Sequence, residues 1–133
     1  MAVNEVVIVG GVRTPQGNLG GALKDFTHQK LGEIVTRALL EKTGVDQKAI
    51  DEMIFGCVGQ QSDAANVARV IALQAGLRKE LPAYTVARNC ASGLQSIVNA
   101  AQMIQVGEAE IVLAGGTECM SSSPYLSRDM RFG

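Results

Sequence analysis

"AYTVARNCASGLQSIVNAAQMIQVG", Ala83 to Gly107, runs from a short β-rich segment through small and polar residues into a helical pattern. Ala83 to Ala87 follows Pro82 and is short and mostly apolar, as a buried strand is. Behind it Leu94, Ile97, Val98, Ala101 and Ile104 recur at helical spacing on one face, and Gly107 stops the pattern. A strand feeding straight into a helix is half of a parallel β-α-β repeat. Cys90 lies in the turn between the two.

The same alternation extends in both directions. Glu5 to Val9, Glu52 to Val58 and Glu110 to Gly115 read as three further buried strands. Between the first two, Leu31, Ile34, Val35, Ala38 and Leu39 mark a helix, with Thr27 as N-cap and Gly44 as its stop. Ala64 to Ala75 reads as another helix, apolar on most sides and ended by Gly76. The order βαβαβαβ predicts an α/β fold: right-handed crossovers and a layered, mainly parallel sheet with helices on both faces. The tail "TECMSSSPYLSRDMRFG" loses the periodicity and is expected to leave the sheet layer. Its end at Phe132-Gly133 reads as an interruption more than a finished domain.

Composition narrows the function classes. The 133 residues suit one domain with a real core. A net charge of -1 gives no electrostatic case for nucleic acid or an anionic membrane surface. Aromatic residues at 4% leave no stacking platform for single strands. The longest apolar runs, such as Val6 to Val9, are strand-sized and not membrane-spanning. The amino terminus has an early acid and no basic leader, so a cytoplasmic protein is expected. Cys57, Cys90 and Cys119 are odd in number and widely spaced, which suggests reduced thiols. No CxxC pair is present and the only histidine, His28, is far in sequence from every cysteine, so no metal site is expected.

In parallel α/β sheets, function gathers beyond the carboxyl ends of the strands, where helix amino termini also point. Cys90 belongs to that edge. A helix end contributes roughly 0.3–1 kcal/mol, up to ~2 in a sheltered site, to a negative charge placed there. That favours a thiolate but does not complete its activation, and a proton acceptor is also needed. Ala91, Ser92 and Gly93 leave room for a carbonyl to approach free backbone amides. From these residues two readings stay open: Cys90 as nucleophile, or as a small buried hydrophobe. Cys57, in an apolar run, reads as core filler, and Cys119 as structural. His28 reads either as a surface first-turn residue or as a partner for Cys90 at the same edge. "VGGVRTPQGNLGGAL" has neither GxGxxG nor GxxxxGK[ST], so it predicts a tight loop over the sheet edge, not a phosphate cradle. Arg13 is a candidate partner for Glu118, in support of the site.

Together these motifs resemble the amino-terminal part of the thiolase family, the acetyl-CoA acetyltransferase and 3-ketoacyl-CoA thiolase group. "RTPQGNLGGAL", "NVAR" at Asn66 to Arg69, "NCASGLQSI" and "GGTECMS" match the family's segments in order. Ala87 stands where the family usually has Asn, Ser or Thr, and Val67 where Pro commonly follows the Asn. The resemblance implies a thiolase-like fold, incomplete here. Residues 1–118 would be the first part of the amino-terminal domain and 119–133 the start of a loop domain. It implies that Cys90 is the acyl-thioester nucleophile in acetoacetyl-CoA or 3-ketoacyl-CoA formation or thiolysis, in fatty acid metabolism. Coenzyme A thioesters would be substrates, with acyl-CoA and CoA as partners and no tightly bound cofactor; no residue is assigned to binding them. A histidine in a Gly-His-Pro context, a second cysteine and most of the CoA-binding loop domain come later in the family. A homodimer or homotetramer is implied, since the second-helix and active-cysteine regions lie near a dimer interface. The family's fifth strand also comes later, which leaves the last strand here with an open edge. Two alternatives are a β-ketoacyl synthase relative and a non-catalytic thiolase-like assembly module.

Overall fold

The structure is a computed structural model that describes residues 4–127 and 129–130. The extreme amino terminus and the Phe132-Gly133 ending therefore lie outside the described residues. Three strands, β1 (Glu52–Gly56), β2 (Ala83–Val86) and β3 (Val112–Gly116), form one parallel sheet in the order β2-β1-β3. Helix α1 (His28–Thr43) precedes β1, α2 (Val67–Gln74) connects β1 to β2, and α3 (Ser92–Val106) connects β2 to β3. Met53 and Phe55 of β1 join Leu40 of α1 and Val67, Ala68 and Ile71 of α2 in the main core. Gly56, on the opposite face, abuts the first turn of α3. Helices thus cover both faces of the sheet, as the alternation predicts.

The caps explain where the helices begin and end. The Thr27 hydroxyl accepts the Lys30 amide at 3.2 Å, and Gly44 closes α1 in the left-handed conformation at φ 62°. The second helix begins at Val67, not at the expected Ala64, because the Asn66 side chain accepts the Arg69 amide and caps it there. Asn66 also donates to the Ala83 carbonyl at 2.9 Å, and Arg69 donates to the carbonyls of Leu81 and Lys79. The "NVAR" segment therefore fastens α2 to the approach and start of β2.

Two expectations need correcting. Glu5 to Val9 is not a strand: no ladder forms there, and Val7, Ile8 and Val9 are 69%, 81% and 85% exposed. Its composition suits a strand, but backbone groups need a neighbour to pair with. An open cleft of about 290 Å³, lined by Gly10 to Thr14 and by Leu113 to Glu118, borders β3. Among the described residues β3 pairs only with β1, so its outer edge is open. The second correction concerns α3. Of its apolar face of Leu94, Ile97, Val98, Ala101 and Ile104, which would ordinarily meet a core, the first three are exposed, Leu94 at 64%, and only Ala101 and Ile104 are half-buried. The buried stripe is Ser92, Ser96 and Ala100, at i, i+4 and i+8. Small residues win there because the sheet surface beneath is made of glycine backbone.

Asp51 aligns the starts of β1 and β3. Its carboxylate accepts the amides of Glu110 and Ile111 at 2.8 and 3.0 Å, while its own amide donates to the Ile111 carbonyl. Those two hydrogen bonds hold its carboxyl below the ordinary value of 3.8. A depressed folded value stabilises above the ordinary one, and that contribution is lost as pH falls through the folded value. Asp51→Asn is expected to cost about 1 kcal/mol at neutral pH. In denaturant titrations the gap to the parent should close below pH 3.8; a gap independent of pH would contradict this role.

Candidate active site

The carboxyl ends of β1, β2 and β3 lead to Cys57, Cys90 and Glu118–Cys119, so all three thiols and one carboxylate gather at one rim. Gly56 and Gly116 are register partners at this rim. A Cβ on Gly56 would lie 2.3 Å from the Ser92 carbonyl carbon and 2.4 Å from the Gly93 nitrogen. A Cβ on Gly116 would lie 3.0 Å from the Gly93 Cα. The amino end of α3 therefore rests directly on the strand ends, and only glycine permits that distance.

The chain reaches α3 through a sharp elbow. Asn89 has φ 47°, the only described non-glycine residue in the left-handed region. Asn tolerates this better than most residues, at a cost of about 1 kcal/mol. The Ser92 hydroxyl accepts the Arg88 amide at 2.8 Å and donates to the Asn89 carbonyl at 2.7 Å. The buried Ser96 hydroxyl shares its proton between the carbonyls of Gly93 and Gly115, each at 2.7 Å. Cys90 stands on the elbow with its residue surface exposed, and no side chain caps the amino end of α3 beside it. A thiolate and a developing oxyanion both suit the positive end of a helix.

A second cluster lies under the rim. His28, which opens α1, is fully buried, and its Nδ1 accepts the Cys119 amide at 2.7 Å. The Thr117 hydroxyl donates to the His28 carbonyl. The Glu118 carboxylate accepts the amides of Val58 and Gly59, both at 2.9 Å, and lies 3.7 Å from the Cys57 sulfur and from His28 Nδ1. Burial first, and then the Glu118 charge, push the Cys57 thiol up to about 12. Cys119 is buried, with its sulfur 3.1 Å from the Phe26 carbonyl.

This cluster revises three expectations. His28 is far from the cysteines in sequence but touches both Cys119 and the Glu118–Cys57 pair in space. It is engaged with those groups and buried, whereas Cys90 is exposed, so the two do not form a Cys–His pair here. Arg13 donates to Gln16 at 3.0 Å, and Glu118 instead clamps the loop after β1. Ligand atoms of His28, Cys57 and Glu118 lie within 4.8 Å of one another. The His28 Nδ1 accepts the Cys119 amide and the two Glu118 oxygens accept the amides of Gly59 and Val58, so the arrangement works as a hydrogen-bonded buttress. The sequence signalled neither the Ser92 and Ser96 contacts nor the glycine floor. Small residues at Gly56, Gly93, Gly115 and Gly116 were the available hint.

The three thiols differ enough to separate by reaction. Under native conditions iodoacetamide is expected to label Cys90 at least about a hundredfold faster than Cys57 or Cys119. Peptide mapping before and after unfolding reads this; equal labelling in the native protein would contradict the placement.

The fold and rim define a three-layer α/β domain with a thiol presented at a helix amino terminus. The description "Thiolase, N-terminal domain" matches residues 6–133, and the chain belongs to the thiolase family. It is 45% identical over 129 residues to the acetyl-CoA acetyltransferase of Syntrophomonas wolfei, covering 97% of this chain and 33% of that protein. It is 50% identical over 129 residues to human mitochondrial 3-ketoacyl-CoA thiolase, covering 96% of this chain and 32% of that one. The crystal structure of the Bacillus anthracis acetyl-CoA acetyltransferase superposes with a TM-score of 0.95 at 45% identity, over 99% of this chain and 34% of that one. The human mitochondrial 3-ketoacyl-CoA thiolase in complex with CoA superposes at 0.87 and 48% identity, over 94% of this chain and 32% of that one. The chain thus spans about a third of the length of these relatives.

Proposed function

We propose that this chain supplies the acyl-accepting half of a thiolase, which transfers acyl groups between thioesters of CoA. The observation that carries the reading is Cys90: exposed, on a braced elbow, at the uncapped amino end of α3. In the proposed first step the Cys90 thiolate attacks the thioester carbonyl and a carbon–sulfur bond forms. The oxyanion is received at the helix end. Its collapse breaks the bond to CoA, which leaves as a thiolate and takes up the proton that Cys90 gave to a base. The second half-reaction returns the acyl group to CoA or to an acetyl-CoA enolate. The base and the second cysteine belong, on the family's pattern, to later segments, and the turn from Cys119 onward would begin the loop domain. CoA is a substrate here and not a resident group.

Ping-pong chemistry gives the test. Full-length protein mixed with acetyl-CoA and labelled free CoA is expected to exchange the label with no second acyl acceptor. Residues 1–133 alone are expected to give no turnover. Exchange only with an acyl carrier protein would favour the synthase alternative, and no exchange at all the assembly module. Robust thiolysis by 1–133 alone would overturn the division of labour. The outward stripe of Leu94, Ile97 and Val98 supports a homodimer or homotetramer, which light scattering of the full-length protein reads directly. Among the described residues no helix is long and apolar enough to cross a membrane.

A further inference from the structure

We propose that Ser92 is a positioning residue: its hydroxyl, held between the Arg88 amide and the Asn89 carbonyl, locks the left-handed elbow that presents the Cys90 thiol. This rests on Cys90 being the nucleophile. Ser92 is 4% exposed, and its hydroxyl spans the elbow from the residue before Asn89 to Asn89 itself. One oxygen thereby ties the Ala87–Arg88 peptide to the Asn89–Cys90 peptide across the elbow, alongside backbone bonds from the Ala91 amide to the Arg88 carbonyl and from the Ser92 amide to the Asn89 carbonyl. Cys90 follows at once, so any relaxation there swings the thiol relative to the helix end.

The rest of α3 is held by other contacts. Ser96 bonds to the Gly115 carbonyl, and Gly93 rests on Gly56 and Gly116. Loss of the Ser92 hydroxyl therefore loosens the elbow, which keeps only the backbone bonds from Ala91 to Arg88 and from Ser92 to Asn89, while the helix stays docked. Surfaces elsewhere that bind substrate keep their shape, so the defect belongs to the reaction step and not to binding.

The test uses the full-length enzyme. Ser92→Ala is expected to lower kcat roughly ten- to a hundredfold, the loss that a displacement of about 1 Å produces, with KM for acyl-CoA within about twofold. Asn89→Gly removes the strain, because glycine adopts positive φ freely, so Ser92→Ala/Asn89→Gly should recover most of the lost kcat. Should Ser92→Ala alone fail to fold, a folded and active double variant supports the assignment, and a double variant without activity overturns it. An unchanged kcat in Ser92→Ala, or a loss that Asn89→Gly leaves intact, also overturns it. If instead the parent enzyme forms no acyl adduct on Cys90, the functional reading itself fails.

Discussion

Cys90→Ala in the full-length enzyme is expected to lower turnover by at least about four orders of magnitude, because a covalent route loses its only acceptor atom. Its effect on stability should stay within about 0.5 kcal/mol, since the replaced residue is exposed and takes no part in the core. Parallel kinetics and denaturant unfolding check both halves. Cys90→Ser adds a sharper comparison. Serine keeps the shape of the elbow, but a hydroxyl ionises far less readily than a thiol and leaves less readily from an ester, so activity should stay near the alanine level. Substantial turnover by the alanine variant would remove Cys90 from the mechanism.

Gly56→Ala should produce the largest loss of stability. Its Cβ would sit 2.3 to 2.4 Å from three backbone atoms of Ser92 and Gly93, none of which can rotate away. Overpacking commonly costs 1–3 kcal/mol, and a backbone clash on a pinned helix belongs at or above about 3. Gly32→Ala is the useful contrast. A Cβ there meets the Ile71 Cδ1 at 2.2 Å and Cγ1 at 2.9 Å, side-chain and not backbone atoms, so its cost should be smaller than that of Gly56→Ala. Because Gly56 sets the height of the α3 amino end, its alanine variant should also lose activity out of proportion to the fraction unfolded. Calorimetry with activity per folded molecule measures both.

Much of this architecture was legible from local chemistry. Thr27, Gly44 and Gly107 mark helix ends through interactions a few residues long, and those signals carried over directly. The strand–elbow–helix unit around Cys90 was equally local. What failed depended on neighbours. Val7, Ile8 and Val9 have strand composition, yet a strand needs a partner that the segment itself does not specify. On α3, apolar periodicity pointed to the wrong face, because the closest packing on a glycine floor selects Ser92, Ser96 and Ala100 over larger residues.

The second cluster shows the same limit in the site. His28 lies about thirty residues before Cys57 and ninety before Cys119, and only the sheet brings them together. Glu118 looked like a partner for a distant arginine, but its carboxylate accepts the amides of Val58 and Gly59, and Arg13 donates to Gln16. Carboxylates satisfied by backbone leave no trace in sequence spacing.

The most direct measurement is mass spectrometry of the full-length enzyme, acid-quenched soon after mixing with acetyl-CoA and digested. The account predicts an acetyl group on the peptide containing Cys90, absent from those of Cys57 and Cys119 and removed by added CoA. Turnover with Cys90 never acetylated, or acetylation of another thiol that CoA discharges, would contradict it.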